Sequence, residues 1–432
     1  MQAKRNKTIV TLIFIINSFL LHIFLYDTIG DDIIIQEFLA PDLKSQLFHL
    51  TDYVQNWSSR LLVNPPIFIM MHFDYHVWII CDVLMLYLLF RGMMKLLSIK
   101  NTENLTLLLL VMLLYPLDAS INYGMIVMSI TYIWPATAAV WSLTYIRMHL
   151  DGEKIRWYHH FFFVILNVYA SNKEELAVTL FLIYLSYVVY TLAKKRPSRF
   201  SILQTFISFG SVLFHLFYSG NQTRFDILSE EIPYTFLDKA EIGVTSTFFG
   251  LLCRYDFLTL VLFTLLTVYI WRKHKQVLPR IVSILLPIVS ITLSILFFSR
   301  PKSIKDTDYA ISYGKYSDPV EWFKLAMYVI CTVLILWEIY LAFSENRTYI
   351  NMWILLVAGF AGRAVIGFGN KGWLTSFERT YTFLYLIMLY IIYKLVQKIY
   401  EDLSPKRRKI LVRILIVLAV FSDLRIIYVL WW

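Results

Sequence analysis

Cysteine is scarce in this chain. The three present, Cys81, Cys253 and Cys331, are scattered in or beside apolar runs. That scatter excludes a disulfide framework and the closely spaced thiolates of a zinc site. No small-residue cleavage site follows the first apolar run, so the basic start Lys4-Arg5-Asn6-Lys7 reads as the flank of a retained first helix rather than a leader. No internal repeat or low-complexity tract stands out. No glycine or proline breaks recur at matching places in two halves, which argues against a transporter built from paired repeats. Charge is also thin, at 16% of residues.

What is abundant is apolar surface. The chain has 432 residues, of which 58% are apolar, and a mean hydropathy of +0.61. This exceeds the roughly 45–50% apolar share of an ordinary soluble domain. Apolar runs of about 18 to 22 residues recur, each long enough to cross about 30 Å of hydrocarbon. The expected fold is all-α: a polytopic membrane protein with about 13 transmembrane helices, a single membrane domain over residues 1–432, and a long first extracytoplasmic loop.

The runs fall at about 8–26, 67–90, 104–117, 125–145, 158–170, 176–193, 200–218, 255–271, 281–298, 325–343 and 350–367. A twelfth ends at Lys394 and Lys398, and a thirteenth covers about 410–430. The runs at 104–117 and 158–170 are short enough to be re-entrant. The net charge of +10 is concentrated in clusters such as Arg147/Lys154/Arg156, Lys194 to Arg199, Arg272 to Lys275 and Lys406 to Lys409. All fall on one side of this topology, which puts the amino terminus in the cytoplasm. The charge is therefore topological, and no nucleic-acid partner is expected.

On the other side lie the acid-rich segment 27–68 and the loops 219–254 and 299–324. In the first, Leu43, Leu47, Leu50 and Val54 recur at intervals of three and four, predicting an amphipathic helix along the membrane surface. Ahead of it stand Asp31 and Asp32. As a functional pair they supply a base for an acceptor hydroxyl, one carboxylate raising the pKa of the other or binding a divalent cation. As plain structure they are a solvated acidic loop or a helix cap. Arg224, Arg254, Arg363 and Arg379 are candidates for holding a phosphate, because a guanidinium offers fixed donors that match phosphate oxygens. Charge balance or snorkelling would equally account for them.

Arg60, Asn172, Glu174 and Glu175 are candidates for binding sugar or acceptor hydroxyls, or for orienting one another. Tyr132 and Trp134 could stack on a sugar ring, although interfacial aromatic belts use the same residues. His72 and His76 share a face if the helix is continuous, but Asp74 between them points elsewhere, and no metal ligand set is assigned.

The layout of a first helix, an outer loop opening with Asp31-Asp32, Trp57-Ser-Ser-Arg60, Tyr132-Ile-Trp-Pro135, Asn172-Lys-Glu-Glu175 and Gly220-Asn-Gln-Thr-Arg224 resembles the GT-C superfamily of membrane glycosyltransferases. These features are similar to those of bacterial members near the O-antigen-modifying glucosyltransferases and a related uncharacterised family. The resemblance implies a bacterial plasma-membrane enzyme that moves a sugar from a polyprenyl-phosphate carrier to a cell-envelope glycan on the outer face, with Asp31 or Asp32 as base. A lipid-linked donor requires no nucleotide-binding fold. The large carboxyl domain of some members is absent here, which favours a glycan over a bulky protein acceptor. The alternatives are a polysaccharide polymerase or ligase, whose main site more often lies in a late outer loop, and a transporter of lipid-linked saccharide.

Overall fold

The computed structural model describes residues 2–24, 30–37, 39, 43–121, 125–221, 223, 235–253, 257–298, 319–368 and 378–431. Among them every regular element is helical, and no strand occurs. The helices group into two compact units, one comprising Met1–Glu230, Glu378–Phe383 and Val412–Trp432, the other Glu231–Phe377 and Leu384–Leu411.

The first unit contains α1 (Gln2–Ile23), α2 (Asp31–Glu37), α3 (Leu43–Trp57), α4 (Asn64–Met71), α5 (Tyr75–Leu96), α6 (Thr102–Met112) and α7 (Leu117–Ile121). It continues with α8 (Met125–Leu150), which contains a π-helical turn at Ser129–Ile133, then α9 (Trp157–Ser171), α10 (Glu174–Ala193) and α11 (Arg199–Phe217). Helix α5 packs on α1 and α8, α9 on α8 and α11, and α10 on α11. Lipid tails are as apolar as leucine, so apolar burial alone does not select one helix pairing over another in a bilayer; close packing and interhelical hydrogen bonds do. Here Trp141 Nε1 donates to the Leu88 carbonyl at 2.8 Å, tying α8 to α5. Ser142 and Tyr184 share a 2.7 Å bond between α8 and α10. Asn167 donates to Gln204 and accepts from Ser208 between α9 and α11.

The second unit contains α12 (Phe236–Phe248), α13 (Phe257–Lys273), α14 (Val277–Phe298), α15 (Pro319–Phe343) and α16 (Thr348–Ala364). The chain then forms α17 (Thr382–Glu401) and α18 (Pro405–Trp431). Two glycines let α12 approach the end of α16. A Cβ on Gly243 would stand 1.9 Å from the Ala364 carbonyl oxygen, and one on Gly367 would stand 2.1 Å from that of Lys239. Only hydrogen fits at either position.

The described apolar runs fall on helices, not all of which are long enough to cross a membrane. Among the described residues, eight helices are long and apolar enough to cross a membrane, or nine if the pair Phe236–Leu252 and Phe257–Lys273, bent by 71°, counts as one. The run at 104–117 gives an 11-residue helix, about 17 Å long. It ends before Pro116, which cannot donate a backbone hydrogen bond. The 15 residues of α9 span about 22 Å. The last run is a single 27-residue helix that carries Arg413, Asp423 and Arg425 within its apolar stretch and is not among the eight.

The run at 67–90 is broken. Asp74 accepts from the His76 N–H at 2.9 Å and starts α5 afresh. His72, in the turn that ends α4, and His76, on α5, therefore share no helical face. The amphipathic segment is helical, as Leu43–Trp57. The stretch 219–254, read as an outer loop, carries α12 instead. Its start is fixed by a capping box in which Thr235 and Asp238 each accept the other's backbone N–H. Residues 299–318, most of the other expected loop, lie outside the described residues.

Candidate functional site

The first turn of a helix leaves N–H groups without partners, a natural seat for a carboxylate. Asp32, on the first turn of α2, fills that seat for α8. Its Oδ2 accepts from the N–H groups of Met125 at 2.6 Å and Ile126 at 3.1 Å, and its Oδ1 from Val127 at 2.8 Å. The side chain is fully buried. Burial pushes its carboxyl up to about 6, while the three donors pull the other way.

Consecutive helical positions point about 100° apart, so Asp31 faces elsewhere. Its side chain is 40% exposed, and its Oδ2 lies 3.2 Å from Arg379 Nη1. The same nitrogen lies 2.9 Å from Met128 Sδ, one residue beyond the Asp32 seat. Adjacent carboxylates thus have different surroundings: one is built into a helix end, and the other forms a half-open ion pair.

One turn further along α8, Tyr132 lies under the Lys173 ammonium, which is 4.6 Å from the ring centroid. Lys173 also bonds Glu174 at 3.2 Å and Glu175 at 2.8 Å. Arg60 Nε donates to both oxygens of Glu174, at 3.0 and 3.3 Å. Burial opposes the Arg60 charge, but Glu174, Tyr132 and Glu175 outweigh it and hold the guanidinium protonated well above its usual range. Asn172 Oδ1 accepts from the N–H groups of Leu62 and Val63, pinning the turn after Arg60.

His215 completes this corner. Its Nε2 faces the Ser171 carbonyl at 2.9 Å and must donate, so in the neutral ring Nδ1 accepts from the Ser59 hydroxyl at 2.7 Å. Asn221 Nδ2 donates to the same hydroxyl at 2.8 Å. The segments Trp57–Arg60, Asn172–Glu175 and Gly220–Asn221, distant in sequence, therefore meet.

In two further sets sequence reasoning missed the partners of Trp134 and Asp118. Trp134 Nε1 donates to Asp82 Oδ1 at 2.8 Å, and Asp82 Oδ2 lies 2.9 Å from His22 Nε2, with His22 Nδ1 on the Ser18 carbonyl at 2.7 Å. Arg425 Nη2 meets Asp118 at 2.6 Å, just ahead of α8. Burial raises the Asp118 carboxyl, and Arg425 opposes the rise. The available signal was ionisable residues inside apolar runs, which are expensive and seldom idle.

These contacts give the aromatic candidates other work. Tyr132 is buried beneath an ammonium, while Trp134 is part-exposed and its indole N–H is held by Asp82. Arg363 lies in the second unit, buried, with Nη1 3.3 Å from Ser246 Oγ. Arg224 and Arg254 lie outside the described residues. Among the described residues, no three His, Cys, Asp or Glu side chains are grouped to hold a metal ion.

Fold and site together define a polytopic α-helical membrane protein whose polar chemistry gathers at the amino end of one buried span, Met125–Leu150. Comparison with family models, with curated proteins and with solved structures finds no match.

Proposed function

We propose that this chain is a membrane glycosyltransferase of the GT-C type. It would take a sugar from a polyprenyl-phosphate-linked donor and pass it to a cell-envelope glycan at the outer face of a bacterial plasma membrane, with its own amino terminus in the cytoplasm. The observation that carries the reading is the contrast within the acid pair. Asp32 is consumed by three backbone donors, while Asp31 is half-exposed and paired with Arg379 at 3.2 Å. This makes Asp31 the base and Asp32 its anchor.

In the proposed reaction Asp31 accepts the proton of the acceptor hydroxyl, whose oxygen forms a bond to the anomeric carbon. The bond from that carbon to the phosphate oxygen breaks, and the lipid phosphate leaves with the electron pair. Arg379 binds that phosphate. When it turns to the donor, Asp31 is released from the ion pair and its oxygens are open to the acceptor hydroxyl. Arg60 and Glu174 position the acceptor side of the site.

The test is transfer of radiolabelled sugar from polyprenyl-phosphate-sugar to envelope glycan in vesicles. Asp31→Asn should abolish transfer with normal abundance in the membrane. Full activity in Asp31→Asn removes the mechanism.

A second reading, a proton-linked transporter of lipid-linked saccharide, draws on Glu338 and the His22–Asp82 pair. Both are buried inside candidate spans, and neither Glu338 oxygen has a hydrogen-bond partner among the described residues. Under that reading a protonophore would stop saccharide movement across vesicles that show no glycosidic product.

A further inference from the structure

At the end of the first unit away from this site, two connections are braced together. The turn after α8 and the turn before α11 meet at Tyr145, whose hydroxyl bonds Ser198 at 2.9 Å and whose ring lies 4.5 Å from that of Phe200. His160 of α9 packs on the same Phe200 ring at 4.5 Å. The knot brings Lys154 and Arg156 on one connection together with Lys194, Lys195, Arg196 and Arg199 on the other, all six exposed.

None of the six has a carboxylate within ion-pair distance among the described residues. The nearest acids in sequence are engaged elsewhere: Asp151 accepts from Arg147 at 2.9 Å and from Ser98, and Glu153 faces Lys95 at 3.5 Å. Two of the cations also stand where a helix disfavours them. Arg156 is the cap residue of α9, and Arg199 is the first residue of α11, beside N–H groups that carry the positive end of the helix dipole. Exposed guanidiniums beside helix amino ends are suited to an anion. Around this face project Trp157, 80% exposed, together with Tyr158, Phe161 and Tyr190. A soluble polyanion has no use for such aromatics; the boundary between lipid headgroups and acyl chains does. Helix α10, 20 residues long, runs about 30 Å from Glu174 to this end, one hydrocarbon thickness from the site.

We infer that the face formed by Lys154, Arg156, Lys194, Lys195, Arg196 and Arg199 binds the phosphate headgroups of anionic membrane lipids. This goes beyond a topological role for the charges, which ends once the chain is inserted, and it does not depend on the proposed reaction.

The full chain, purified in neutral detergent, is mixed with micelles of phosphatidylglycerol or phosphatidylcholine, and retained lipid is counted by mass spectrometry. Wild type should retain phosphatidylglycerol at least tenfold over phosphatidylcholine. The variant Lys194→Gln/Lys195→Gln/Arg196→Gln/Arg199→Gln should lose that preference, at about five-fold for each cation removed. If the variant does not purify folded, a salt titration of wild type serves: raising salt to about 0.5 M should remove the preference, because screening then acts within a few ångströms. Equal retention of the two lipids by wild type overturns the inference. So does an unchanged preference in the folded variant, a preference indifferent to salt, or tighter binding of a soluble polyanion such as heparin than of phosphatidylglycerol.

Discussion

Replacing Asp32 by Asn probes the seat at the start of α8 through the pH dependence it should remove. The Asp32 carboxyl is raised from 3.8 to about 6, first by burial, against the pull of the Met125, Ile126 and Val127 N–H groups. A carboxyl with a raised folded-state pKa favours folding most when protonated. Its contribution is fully present below the unfolded value near 3.8 and is lost as pH rises through about 6. The interval corresponds to about 3 kcal/mol.

Asn keeps one oxygen for the Met125 and Ile126 donors and cannot ionise. The stability of wild type relative to Asp32→Asn should therefore rise by up to about 3 kcal/mol between pH 7.5 and pH 4. Ala leaves three buried donors without an acceptor and should cost about 2 to 4 kcal/mol at pH 7. The assay is the midpoint of thermal unfolding in detergent, followed by tryptophan fluorescence across that pH range. Parallel curves for wild type and Asp32→Asn would refute the reasoning, because an Asp32 in water titrates alike in both states.

Arg425→Ala leaves the buried Asp118 carboxylate without its 2.6 Å partner and should cost about 3 kcal/mol, read as a lowered unfolding midpoint that Asp118→Asn in the same chain partly restores. Gly243→Ala should cost about 3 kcal/mol or prevent accumulation, since its methyl would overlap the Ala364 carbonyl; the same readout applies, with Gly210→Ala, at a position with open space, as control. Glu174→Gln and Arg60→Ala each break a largely buried ion pair and should each lower the unfolding midpoint in detergent, by about 1 to 3 kcal/mol; an unchanged midpoint in both would show that the pair does not hold this corner together.

The helical class was legible because run length and apolarity are local properties. The number of crossings was not, because breaks depend on single residues whose effect is geometric. Pro116 stops one run, and Asp74 restarts a helix inside another. Helix α12 was hidden within a presumed loop because its capping box, Thr235 and Asp238, precedes a mixed polar and apolar sequence rather than a long apolar run. The motifs at Trp57–Arg60 and Asn172–Glu175 were legible as polar residues at helix ends, and they meet. Their partner His215 was not, nor were Asp82 and His22 behind Trp134 or Arg425 opposite Asp118, since a lone ionisable residue in an apolar run does not say which distant residue it faces.

The same contacts bear on which ion pair a charged substrate can open. Among the described residues, each arginine around Met125–Trp134 already has a carboxylate: Arg60 has Glu174, Arg379 has Asp31 and Arg425 has Asp118. An incoming phosphate must therefore displace an acid, and the cost depends on how readily water solvates the acid released. The three carboxylate side chains are 18%, 40% and 4% exposed in that order. Glu174 also has Lys173 to retain it, and freeing Asp118 would leave a bare charge in a dry setting. Asp31 alone can be released into water at little cost. The pair that opens most easily is then the one that places a freed carboxylate beside the phosphate it has just yielded to, as the proposed transfer requires.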